Sequence, residues 1–139
     1  MHDVSSTMMI SLERARSLQA TGVQWSPVAG DRFVIDEPQL LGQVFWVSDL
    51  TIEVHHYATD TVLGFNGTTE WALDSVPLEK ALWLPREDQL RELLGGLFRN
   101  LERGSAGWTV TVQVRGQEFL ASDDDVENAY ADALLTALG

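Results

Sequence analysis

A chain of 139 residues, 45% hydrophobic and 22% charged, fits a single globular domain with a core of its own. It has no cysteine, which excludes disulfides, thiolate nucleophiles and cysteine-ligated zinc. Its net charge of −12 lies in blocks: residues 33–79 hold eight carboxylates and residues 116–139 hold six, with no lysine or arginine in either.

Two acidic blocks repel a phosphate backbone, so neither nucleic acid nor an anionic membrane is an expected partner. No apolar run approaches the ~20 residues that span a bilayer. The opening residues lack the basic-then-apolar pattern of a secretory signal, and a cytoplasmic location is the expectation. Residues 1–9 read as a flexible N-terminal extension and residues 10–139 as one domain.

In chain order, Leu12, Ala15 and Leu18 follow helical spacing and Gly22 ends the pattern, which predicts a first helix over residues 10–21. Arg14 and Arg16 are expected on its solvated side. Arg32 to Ile35 reads as a short strand closed by Asp36-Glu37-Pro38. Val44 to Ser48, Thr51 to Ala58 and Val62 to Phe65 are β-branched and aromatic, with Ser48-Asp49, Thr59-Asp60 and Asn66-Gly67 between them. That predicts an antiparallel meander.

Pro85, with Glu87 and Asp88 after it, opens a second helix. Leu90, Leu93, Leu94, Leu97, Phe98 and Leu101 trace its apolar face, with Gly104 as the stop. Gly95-Gly96 interrupts that pattern at a cost of about 1 kcal/mol per glycine, which implies a bend or a closely packed backbone. Trp108 to Arg115 alternates as a strand, and Gly116-Gln117 turns the chain into a short partner over residues 118–121. Ser122 and Asp125 form a capping box for a last helix, and the "DDD" run sits where a helix dipole favours negative charge. The predicted fold is α+β: an antiparallel sheet, meander plus C-terminal hairpin, packed by about three helices on one face.

The chain has neither a phosphate loop nor a dinucleotide fingerprint. Candidate chemistry falls at two places. In "EVHH", Glu53 and His55 share one strand face, which supplies two ligands where catalytic zinc takes three from protein. In "GFNGTTEWALDSV", Glu70 and Asp74 lie four apart, so they fall on one side of a helix or a strand, and paired carboxylates can split their pKa values. The same stretch also reads as a turn at Asn66-Gly67 that delivers Trp71 and Leu73 to a core. The candidate binding residues are Glu70, Trp71, Asp74, Thr68 and His55. No catalytic set, metal site or cofactor is assigned. The five tryptophans (Trp25, Trp46, Trp71, Trp83, Trp108) read mainly as core.

At "VFWVSDLTIEVHH", "GFNGTTEWALDSV" and "ALWLPREDQLRELLG" the chain resembles a family of small, acidic, uncharacterised actinobacterial proteins. Some members carry a pilus-assembly label, which the residues do not support because that activity needs a phosphate loop. The resemblance implies a stand-alone domain and brings no activity with it. The expected function is a non-catalytic binding or regulatory module with an acidic surface, whose partner is a basic protein or a second copy of the chain. The alternative is a small-molecule-binding protein, or a small hydrolase or isomerase, using Glu70 and Asp74 with His55.

Overall fold

In the computed structural model the described residues are 9–48, 52–57, 61–65, 75–105 and 107–139. In chain order the elements are α1 (Leu12–Ala20), β1 (Arg32–Ile35), β2 (Phe45–Trp46), β3 (Ile52–His56), β4 (Thr61–Phe65), β5 (Ser75–Pro77), β6 (Ala81–Trp83), α2 (Glu87–Leu94), β7 (Phe98–Gly104), β8 (Gly107–Val114), β9 (Gln117–Asp123) and α3 (Val126–Leu138). Every strand pair is antiparallel, and the class is α+β as the sequence predicts. The strands sort into three sheets, ordered β2-β1-β6, β3-β4-β5 and β7-β8-β9. The chain divides into two compact units, one formed by Trp25–Leu84 and the other by α1 with Pro85–Gly139.

Of the expected meander in the first unit only the β3-β4 pairing holds: β2 pairs with β1, and the third strand beside β4 is β5, which the expectation did not include. Phe33 and Ile35 from β1 join Leu40, Val47, Ile52, Leu63, Val76 and Ala81 in one buried cluster. Each of the larger side chains contributes roughly 1.5–3 kcal/mol on leaving water. The turn before β1 is held by Asp31, which is only 1% exposed. Its carboxylate accepts from the Trp25 indole N–H at 2.9 Å and from the Val28 backbone N–H at 3.1 Å. Trp25 in turn stacks on Trp83, with ring centres 6.3 Å apart. Trp46 is exposed on β2 rather than in the core.

The second unit departs most from the sequence expectation at the second helix. The predicted long helix ends at Leu94, and Phe98 to Gly104 is a strand. Gly95 takes φ 54°, ψ −129°, a backbone state essentially closed to residues with a Cβ. Neither a helix bend nor a packed backbone explains the glycine pair, because a Cβ at Gly95 or Gly96 would meet nothing within 4 Å. After this corner a 3-10 turn, Gly95–Leu97, leads into β7.

The helical spacing of the apolar residues has a different cause. A β-bulge between Phe98 and Asn100 inserts an extra residue, so Phe98 and Leu101, an odd distance apart, both face the helices. They lie opposite Val112 and Val110, which are fully buried. Phe98 has the Arg91 guanidinium of α2 4.2 Å from its ring centre and stacks with the ring of Tyr130 on α3, 5.9 Å away. Burial, then the nearby Glu87 carboxylate, pushes the Tyr130 hydroxyl up from its ordinary pKa.

The hairpin between β8 and β9 turns at Arg115-Gly116, both with positive φ, one residue earlier than the sequence suggests. Two positive φ values in a two-residue loop match the right-handed twist of the strands. At the other end of β8, Gly107 has φ +101°, and a Cβ there would sit 2.6 Å from the Asp123 carbonyl oxygen. Gly107→Ala is therefore expected to destabilise the protein by more than about 1 kcal/mol in denaturant titration. Gly104→Ala, across the same hairpin and with nothing within 4 Å of its Cβ, should fall within about 0.5 kcal/mol of wild type. Equal effects at the two glycines would contradict this geometry.

Candidate interaction surface

Of the candidate residues drawn from the sequence, Thr68, Glu70, Trp71 and Asp74 lie outside the described residues, as does the predicted turn at Asn66-Gly67. His55 is on β3, half-buried, with its ring 6.4 Å from that of Tyr57 two residues along the same strand face. His56, on the other face, lies 3.3 Å by Nδ1 from the Thr61 hydroxyl. Glu53 is on the same strand, with Gly64 opposite it. Among the described residues no group of three His, Asp or Glu side chains is placed to hold a metal ion.

The C-terminal acidic block is largely turned inward. Asp125 is the N-cap of α3, its carboxylate accepting from the Glu127 backbone N–H at 2.8 Å. The predicted capping box is thus displaced: Ser122 belongs to β9, where its hydroxyl is 2.7 Å from that of Thr109. Asp123 accepts from the Asp125 backbone N–H at 2.9 Å and from the Asn128 amide at 3.3 Å. Glu127, 7% exposed, accepts from the Ile10 backbone N–H at 2.9 Å, and Asn128 Oδ1 accepts from the Ser11 backbone N–H at 2.9 Å. The start of α1 is therefore pinned to the first turn of α3.

Arg14 completes the clamp. It is half-buried, not solvated as the sequence suggests, and donates Nε and Nη2 to the two oxygens of Asp132 at 2.8 and 3.0 Å. Its Nη2 also lies 3.2 Å from Asp123. A guanidinium facing two carboxylates matches their geometry in a way an ammonium cannot. The hydrogen bond to Asp132 raises the Arg14 pKa, against the opposing effect of burial. The partners are 118 positions apart, and no local pattern signals the pairing.

Four of the six carboxylates in this block serve the fold, and Glu118 and Asp124 are exposed. What the second unit presents instead is a sheet face. Cross-strand partners share a face, so Glu102, Thr109 and Ser122 form one row, and Asn100, Thr111 and Leu120 the next. Gln113 and Glu118 form the third, with Arg99 donating to Gln113 at 3.0 Å. This face is opposite to the one that carries buried Val110 and Val112. Leu120 stands in it 64% exposed.

No protein-family model matches the chain, and comparisons with curated proteins and with solved structures likewise find no match. Among the described residues no helix is long and apolar enough to cross a membrane.

The clamp makes a measurable claim about stability. The Arg14 and Asp132 side chains are about a third exposed (28% and 35%), so water screens the pair. A double-mutant cycle with Arg14→Met and Asp132→Asn should give a coupling of ~1 kcal/mol or less. Arg14→Met alone is expected to cost about 1–2 kcal/mol, because it leaves Asp132 and Asp123 without their shared donor. The coupling should shrink in high salt, and a coupling insensitive to salt would contradict a screened ion pair.

Proposed function

We propose that the chain is a binding module rather than a catalyst, and that its partner is a protein of basic charge. The observation that carries this reading is the outward face of β7-β8-β9: an exposed leucine set among hydroxyls, amides and the carboxylates of Glu102 and Glu118. An apolar centre within a polar surround is the common anatomy of a protein interface. Arg99 is the cation on this face, and its guanidinium is held by Gln113 and by the Gly96 and Phe98 carbonyls. The net charge of −12 adds a long-range attraction for cationic partners and a repulsion for nucleic acid.

The test uses a photoreactive amino acid in place of Glu102, far from the β9 edge of the sheet, with a second probe in place of Glu92 on α2 as control. Cross-linking in cells should give an adduct with a different protein from the first position and none from the second. Capture should weaken about tenfold on raising salt from ~0.05 to ~0.5 M, and similarly in the Glu102→Lys/Glu118→Lys variant. Adducts that are equal at both positions, or capture that survives both salt and charge reversal, would reject the proposal.

A further inference from the structure

The two edges of the β7-β8-β9 sheet are built differently. The β7 edge is broken by the bulge at Arg99 and carries Arg99 and Arg103, two devices by which proteins discourage pairing at an edge. Strand β9 has no bulge, and its two charged residues, Glu118 and Asp123, stand near its ends. Its seven residues, QEFLASD, pair with β8 without interruption, contain no proline or cation, and among the described residues have no strand on the other side.

The direction of the β9 backbone groups follows from the turn. A two-residue loop at Arg115-Gly116 closes on a hydrogen-bonded pair, Val114 with Gln117. Hydrogen-bonded and non-hydrogen-bonded pairs then alternate, so Phe119 and Ala121 bond to β8 while Glu118, Leu120 and Ser122 direct N–H and C=O outward. These last three residues are the exposed ones along the strand's middle, and Leu120 stands at its midpoint.

We infer that β9 is the site of self-association, pairing antiparallel with β9 of a second copy about a two-fold axis at Leu120. The inference goes beyond the binding reading above: it concerns the β9 edge and a second copy of the chain, whereas that reading concerns the sheet face and a basic protein. With the axis at Leu120, the two leucines face each other and exchange both backbone hydrogen bonds. Glu118 lies opposite the partner's Ser122 and does the same, and Gln117 lies opposite the partner's Asp123. On the helix-covered side Phe119 meets the partner's Ala121, extending the apolar layer of each sheet. No two like charges stand directly opposite. The equivalent arrangement on β7, centred on Leu101, would set Arg99 against the partner's Arg103, a repulsive pair. The edge that is open is therefore also the edge whose sequence is compatible with itself.

Charge provides a discriminating readout. Each copy carries −12, so self-pairing must strengthen as salt screens the repulsion, whereas capture of a basic partner must weaken. Sedimentation equilibrium of the full chain from about 1 μM to about 1 mM should show a monomer–dimer equilibrium that shifts toward dimer in high salt. Leu120→Lys, at a site exposed enough to leave the fold intact, should weaken the dimer by at least about tenfold. Arg99→Lys on the other edge, which keeps the net charge, should leave it unchanged.

A second readout does not depend on tolerance of lysine. The chain lacks cysteine, so Leu120→Cys should oxidise to a covalent dimer across the axis, at the ~5.5 Å Cα separation of a hydrogen-bonded pair. Glu92→Cys should not. A wild type that stays monomeric up to ~1 mM in high salt, or a dimer indifferent to Leu120→Lys, overturns the inference. Neither result touches the partner cross-link at Glu102, so failure here and failure of the binding reading are separable.

Discussion

The second unit depends on one backbone corner. At Gly95 the chain adopts φ 54°, ψ −129°, a conformation that residues with a Cβ avoid strongly. This ends α2 at Leu94 and sends Phe98 to Gly104 away from the helix axis and into the sheet. Had the helix continued, β8 would have lost its neighbour on one side, and the contacts of Phe98 with Arg91 and Tyr130 could not form. The glycine is needed for its dihedral freedom, since the space around it is open.

From that corner the rest of the unit follows by registry. β7, β8 and β9 form a meander closed by tight hairpins, and each hairpin contains a glycine with positive φ, Gly107 or Gly116. The helix α3 is started by Asp125 and tied to α1 through Glu127, Asn128 and Arg14. Much of the acidity that looks like surface charge in the C-terminal block thus anchors one helix to another. Exposed polar groups of this unit include those on the outward sheet face and along the β9 edge.

Some of this was legible in the sequence. α1, β8 and α3 were recoverable because their apolar residues keep one period throughout. β7 was not, because its bulge places Phe98 and Leu101 on the same side at a spacing that imitates a helix. Arg14 is half-buried for another reason: its carboxylate partners come from the far end of the chain, and periodicity carries no information about them. The "DDD" run does precede a helix start, although Asp125 alone is the cap and Asp123 serves the clamp. Of the stretch from Gly64 to Val76, the described part contributes the end of β4 and the start of β5. Four of the five candidate binding residues lie outside the described residues, and His55 sits beside Tyr57.

The central claim is that alternate residues of β9 offer their backbone to a second copy of the chain. Amide hydrogen exchange read residue by residue, at low and high protein concentration, tests it most directly. The Phe119 and Ala121 amides, bonded to β8, should be protected at both concentrations. The Glu118, Leu120 and Ser122 amides should exchange fast when dilute and slow together as concentration rises. Fast exchange of these three at every concentration, or protection of all five even when dilute, would contradict the account.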